Sequence, residues 1–233
     1  MYNKKLSMFY PLTTALSVFD AVIMCSGDYP THSIPLGILR AASYLVACDD
    51  AGERLVDKGI LPDAIVGDGD SMSASFRRKY ADIIHMVDEQ DYNDQTKATR
   101  FCVAHGFRRI AYIGSTGRRE DHTIGNISLL QYYRRELGVE PVMITDYGTF
   151  VPCVGIAAFA TFARQQVSIF NLTCRALTGS GLRWQPYAAR ELWQTTLNEA
   201  TGDKVTLEGD GEYIVYLTHE AKKRSGPNKS ERL

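Results

Sequence analysis

At 233 residues, with 45% hydrophobic and 23% charged side chains, the chain has the balance of a globular protein of one large domain or two modest ones, which excludes a disordered or fibrous chain. Lys and Arg number 26 against 27 Asp and Glu, so the formal charge of -1 supplies no field broad enough to hold a nucleic-acid backbone or an anionic membrane. No run approaches the roughly 20 apolar residues of a membrane-spanning helix. The segment after Lys4 and Lys5 is also broken by Ser7, Pro11, Thr13, Thr14, Ser17 and Asp20, so neither a span nor a secretory leader is expected.

In chain order, short β-branched runs at 21–25, 44–48, 64–66, 83–87, 110–113 and 142–144 alternate with helical patterns at 52–58, 94–105 and 121–137. That alternation predicts a Rossmann-like parallel sheet with helices on both faces over residues 1–147. From about Gly148 the pattern changes to β-like stretches at 166–170, 190–196, 204–207 and 213–217, separated by glycine turns such as Gly179-Ser180-Gly181 and Gly209-Asp210-Gly211. Residues 148–220 are therefore expected to form an antiparallel β-sandwich. Residues 221–233, rich in Lys, Arg, Ser, Gly and Pro, are expected to be a disordered tail. Cys25, Cys48, Cys102, Cys153 and Cys174 are odd in number, sit in apolar runs and form no Cys-x-x-Cys pair. They read as reduced buried thiols, and the expected compartment is the cytoplasm.

Ligands of open α/β sheets bind beyond the carboxyl ends of the strands, so the turns after each run are where chemistry is sought. In Ile65-Val66-Gly67-Asp68-Gly69-Asp70-Ser71 a strand runs into two carboxylates one glycine apart, able to converge on a hard cation such as magnesium. The competing reading is a solvated turn or helix cap, with Asp70 or Ser71 as the capping residue. Asp49 follows another strand and Asp94 opens the helix after a third, so carboxylates from separate turns would crowd together unless a cation relieved their repulsion. The segment Gly114-Ser115-Thr116-Gly117-Arg118-Arg119-Glu120-Asp121-His122 joins a glycine loop, paired arginines and a helix start, a combination suited to an anion. It is not a P-loop. Arg118 as a surface charge, Asp121 as a cap and His122 as a structural histidine remain open alternatives.

Taken together and in this order, the segments resemble the thiamin pyrophosphokinase family. The resemblance is carried by Ser26-Gly27-Asp28, Cys48-Asp49, the 61–71 segment, Gln90-Asp91-Tyr92-Asn93-Asp94, the 114–123 segment with Asn126, then Gly179-Ser180-Gly181-Leu182-Arg183-Trp184 and Asn198-Glu199. It implies a nucleotide-binding α/β domain followed by a β-sandwich, paired into a homodimer with thiamin bound between subunits. It further implies that Asp49, Asp68, Asp70 and Asp94 gather around Mg2+. Gln90, Asn93, Thr116, Arg119, Asp121 and His122 would serve ATP, and Trp184 and Asn198 the thiamin. A π face at Trp184 would suit the cationic thiazolium, against the alternative of a core tryptophan.

The implied reaction is in-line attack of the thiamin hydroxyl on the β-phosphorus of ATP, with Asp94, Asp70 and Arg119 as the catalytic candidates. Asp94 is expected either to receive the hydroxyl proton or to ligate the metal. Three positions depart from the family pattern: its Asp-Gly-Gly-Ala-Asn turn is Asp49-Asp50-Ala51-Gly52-Glu53 here, the second glycine of the arginine loop is Arg118, and its Ser-Asn pair is Leu197-Asn198. A magnesium-dependent glycosyltransferase using a nucleotide sugar, and a non-catalytic thiamin or nucleotide sensor, are the rival readings.

Overall fold

The computed structural model describes residues 8–222. After β1 (Met8–Tyr10) come six parallel strands: β2 (Ala21–Met24), β3 (Leu45–Cys48), β4 (Ala64–Gly67), β5 (Ile84–Met86), β6 (Arg109–Ile113) and β7 (Glu140–Ile144). Their spatial order is β7-β6-β2-β3-β4-β5. The chain first builds outward on one side of β2 and then returns to build on the other, so a topological switch point lies between β2 and β6.

Successive side chains of a strand face opposite sides, and here both sides are buried. Ile23, Val46, Val66 and Tyr112 pack with Ala98, Cys102, Leu130 and Tyr133 of α4 (Asp94–Ala104) and α5 (Glu120–Glu136). Met24, Ala47, Ile65 and Ile113 face the other way, onto Ile38, Leu39, Leu55 and Phe76 of α1 (Ser33–Arg40), α2 (Ala51–Asp57) and α3 (Ala74–Lys79). Helices thus cover both faces, as the alternating runs predict. Helix α1 is not among the expected helical patterns. Pro35 lies in the first turn, where its missing N–H removes no intrahelical bond.

The remaining strands are β8 (Gly148–Ala160), β9 (Gln165–Asn171), β10 (Leu177–Ser180), β11 (Asn198–Glu199) and β12 (Lys204–Ala221). Residues 204–207 and 213–217 are not two strands joined by a glycine turn. They are halves of β12, which breaks register between Glu208 and Glu212 while its partner β8 carries Gly155 in the left-handed region. The first half of β12 pairs with β10 and the far half of β8, and the second half with β9 and the near half of β8. Bulges bend a strand and raise its twist, so these two long strands supply both leaves of the sandwich. Val151, Phe159, Ile169, Leu177, Leu207 and Val215 close one core between them.

The stretch 190–196 is a run of turns rather than a strand. Gln194 Oε1 accepts the N–H groups of Arg190 and Glu191, and Thr196 Oγ1 donates to the Trp193 carbonyl, so local side-chain bonds displace ladder pairing. Strand β1, also unforeseen, adds in parallel to the far half of β8. β7 pairs antiparallel with β8 through Met143 with Phe150 and Ile144 with Thr149, so one sheet runs continuously from the parallel half into the antiparallel half. Of the expected tail, Ala221 ends β12 and Lys222 donates its N–H to the Arg164 carbonyl, while residues 223–233 lie outside the described residues. So do Lys4, Lys5 and Ser7. No described helix is long and apolar enough to cross a membrane, and all five cysteines are buried and outside any disulfide.

Candidate active site

At the carboxyl ends of β2, β3, β4 and β6 a cavity of about 630 Å³ opens, lined by the turns that follow these strands and by the first residues of α4 and α5. Its shape begins with glycine. Gly27 N–H donates to the Gly114 carbonyl at 2.7 Å and Asp28 N–H to the Thr116 carbonyl at 2.9 Å, so the two turns at the switch point are laced together. A Cβ at Gly27 would collide with both of those carbonyl oxygens. Gly117, with φ of 82°, packs its Cα against the Asp28 carboxylate and has no room for a side chain either. Asn126 of α5 donates to the Ser115 carbonyl at 2.8 Å and accepts from Asn93 at 2.9 Å, which ties the helix starts to the glycine loop.

The carboxylates are not helix caps. The N-cap of α3 is Ser73 and that of α4 is Asn93, each accepting a first-turn N–H. Asp49, 3% exposed, instead receives Gly69 N–H at 3.1 Å on one oxygen and Ser71 N–H at 3.3 Å on the other, and so moulds the 67–71 turn from behind. Asp68 lines the cavity and accepts the Asp70 N–H at 3.2 Å. That bond comes first among the causes that hold its carboxyl below the usual range, with Lys97 adding to it. Asp94 lines the cavity as the first residue of α4, and burial raises its pKa, with the Asp49 and Asp68 charges adding to the rise and Lys97 opposing it. Asp70 is exposed and does not line the cavity.

Between Asp68 and Asp94 stands a residue that sequence reasoning passed over. The Lys97 ammonium, its side chain 3% exposed, lies 3.7 Å from Asp68 Oδ2 and 3.6 Å from Asp94 Oδ1. The protein thus carries a buried cation of its own where the carboxylates converge. A signal was available: Lys97 is three residues past Asp94, and residues three apart share a helix face.

Of the other predicted residues, Gln90, Asn93, Arg119 and His122 line the cavity. The Asn93 side chain is committed to capping, accepting from both Thr96 N–H and Thr96 Oγ1. Arg119 is forked onto Asp121 at 3.1 and 2.6 Å on the exposed rim, which lowers the Asp121 pKa. Thr116 contributes its carbonyl to the switch-point lacing. Trp184 and Asn198 lie apart from this cavity, in the antiparallel half. Asn198 is buried and holds the Trp184 backbone from both sides, donating to its carbonyl at 2.7 Å and accepting its N–H at 3.1 Å, while Trp184 is half exposed.

The donor set suits a divalent cation shared with a ligand. Magnesium favours hard oxygens and commonly takes one or two carboxylates together with phosphate oxygens and water. Asp68 and Asp94 provide two such carboxylates. Among the described residues no group of three His, Cys, Asp or Glu side chains is arranged to hold a metal unaided, so phosphate oxygens would have to complete the shell.

Two family models match in tandem: the thiamin pyrophosphokinase catalytic domain over residues 37–140, and the thiamin pyrophosphokinase substrate-binding domain over residues 148–216. Together they take in well over half of the chain. Thiamin pyrophosphokinase 1 of Caenorhabditis elegans is 35% identical over 123 residues, 48% of this chain and 49% of that protein, so the match spans about half the length of this curated relative. In fold, the chain is similar to the thiamine pyrophosphokinase of Bacillus subtilis, with a TM-score of 0.72 at 19% identity over 85% of this chain and 98% of that one. It is likewise similar to the thiamin pyrophosphokinase of Candida albicans, with a TM-score of 0.76 at 14% identity over 94% of this chain and 95% of that one. With both family models matched in order along the one continuous sheet, the chain belongs to the thiamin pyrophosphokinase family.

Proposed function

We propose that the protein is a thiamin pyrophosphokinase, moving the pyrophosphoryl group of ATP onto the hydroxyl of thiamin to give thiamin diphosphate and AMP. The observation that carries this reading is the switch-point cavity itself. Two carboxylates face a buried lysine there, and Arg118 and Arg119 line the same cavity. Such a place accommodates a polyphosphate whose charge must be matched on several sides.

In this mechanism residues 8–147 bind the nucleotide and residues 148–221 the acceptor. The Gln90 side chain, Arg119 braced by Asp121, and the neighbouring His122 hold the ATP. Lys97 and Arg119 offset charge on the transferred group. A magnesium ion held by Asp68 and phosphate oxygens would supply further charge neutralisation, with Asp49 supporting the turn that presents Asp68. Asp70 enters only as far as the 67–71 turn carries it inward. A bond forms between the thiamin oxygen and the β-phosphorus as the bond from that phosphorus to the α,β-bridging oxygen breaks, and AMP leaves with the bridging oxygen. Asp94, its pKa raised by burial, is suited to take the hydroxyl proton. Positioning supplies much of the acceleration.

The acceptor site is assigned to the antiparallel half of a homodimer. Trp184, Tyr187, Leu192, Trp193 and Leu197 are all more than half exposed within or beside one loop, a concentration of large apolar side chains that suits a subunit contact holding a flat cationic ring. We place the protein in the cytoplasm, in keeping with five buried cysteines that form no disulfide.

The test is AMP release that requires thiamin, ATP and Mg2+ together. Sugar-nucleotide turnover without thiamin dependence, or tight thiamin binding with no AMP formed, would reject the assignment in favour of a glycosyltransferase or a sensor.

A further inference from the structure

Asp50 and Arg118, from two separate turns of the parallel half, meet in space. Arg118 Nη1 lies 3.5 Å from Asp50 Oδ2, and both residues line the cavity. They come from the turns after β3 and β6, the strands flanking β2, so the pair spans the mouth above the switch point.

The pair is loosely held. Half of the Arg118 side chain is exposed, and the ion pair with Asp50 is the guanidinium's one hydrogen bond or ion pair among the described residues, with the Arg54 charge nearby opposing it. Arg54 beside it is fixed, donating to the Gly27 carbonyl at 2.8 Å and the Cys25 carbonyl at 3.2 Å, with Asp50 Oδ2 3.9 Å from its Nε. Arg118 also keeps φ of 58°, a left-handed conformation that a glycine would adopt without strain. An arginine held in a strained backbone conformation at an exposed position on a cavity wall, with one exchangeable partner, is open to a ligand.

We infer that Arg118 is a polyphosphate-binding residue, and that Asp50 holds its guanidinium at the cavity and yields it to the donor's terminal phosphates. This rests on the proposed use of ATP and identifies which part of the donor the site grips. The guanidinium exchanges one carboxylate for a more highly charged phosphate, so the contact favours triphosphate over monophosphate. Asp50, left behind, returns to Arg54.

The experiment compares wild type with Arg118→Gly, Arg118→Lys and Asp50→Gly, reading KM and kcat for MgATP and the affinities for inorganic tripolyphosphate and AMP by calorimetry. Glycine suits the backbone at 118, so the fold is retained, and the melting temperature checks this. Arg118→Gly is expected to raise KM for MgATP and weaken tripolyphosphate by about tenfold, the scale of one charge-assisted contact, with kcat and AMP affinity little changed. Arg118→Lys should restore part of the loss, and Asp50→Gly should tighten tripolyphosphate. Tripolyphosphate affinity unchanged within twofold in Arg118→Gly, or AMP weakened as much as tripolyphosphate, would overturn the inference, as would a wild-type protein that does not bind tripolyphosphate. A wild type that binds tripolyphosphate through Arg118 yet releases no AMP with thiamin would instead reject the enzymatic reading and leave this one standing.

Discussion

The two halves of the molecule differ in where they collect charged side chains. In the parallel half, Asp68, Asp94, Lys97, Arg118 and Arg119 gather at one cavity, at distances too long for mutual hydrogen bonds among the carboxylates and Lys97. In the antiparallel half buried polar side chains such as Asn198 and Thr195 are spent on the backbone: Asn198 holds Trp184, and Thr195 donates to the Ile169 carbonyl. Gln131, from α5, bonds the Cys153 and Tyr213 carbonyls where the halves meet. A group fully satisfied by backbone stabilises a fold, whereas a charge kept under-satisfied in a cavity is available to a ligand.

The largest expected effect separates the two uses. Asp94→Asn should lower turnover by about a thousandfold without lowering the melting temperature near pH 7.5. The sign follows from burial. The folded pKa of Asp94 lies above its unfolded value, so the stability linked to this group is present at low pH and is lost as pH rises through the raised pKa. Removing the ionisable group should remove that loss, and turnover in wild type should fall off on the acid side at a higher pH than an ordinary aspartate would give. A clear drop in melting temperature for Asp94→Asn at pH 7.5 would show that the carboxylate serves the fold instead.

Phe159→Ala addresses the other half. Phe159 is 1% exposed in the core between the leaves, and its truncation should cost about 4 kcal/mol. Because β7 and β8 join the halves in one sheet, the loss should appear as a downward shift of a single unfolding transition, followed by circular dichroism. Two resolved transitions would show the halves to be separable.

The smallest effect concerns the loop between them in character. Leu197 has φ of 62° with most of its side chain exposed. Leu197→Gly relieves a left-handed strain but adds freedom to the unfolded chain, so the net change in monomer stability should stay below about 1 kcal/mol. If the side chain sits in a subunit contact, the same substitution will weaken the dimer, which light scattering against concentration would read.

Much of this was legible in the residues. Ile65-Val66-Gly67-Asp68 and Tyr112-Ile113-Gly114 announce buried strands ending in polar turns, since a strand buried on both faces is an unbroken apolar run and a turn needs glycine. From such turns the cavity-lining residues Asp49, Asp68, Asp94 and Arg119 could be named in advance, and the family resemblance added Gln90. Strand β1, the single bent β12 and the turns over 190–196 were hidden, because edge pairing, bulges and side-chain-to-backbone bonds leave no periodic mark.

The alternation of apolar runs with amphipathic segments therefore determined, without any coordinates, that helices would cover a parallel sheet and that acidic and arginine-bearing turns would meet at its carboxyl edge. Only the tertiary structure decided what those charges do to one another. It set Lys97 between Asp68 and Asp94, turned Asp49 onto the Gly69 and Ser71 amides, and brought Asp50 against Arg118. Periodicity reports which face of an element is buried, but Coulomb energy depends on distances across the fold, and residues 68 positions apart acquire a distance only when the sheet closes.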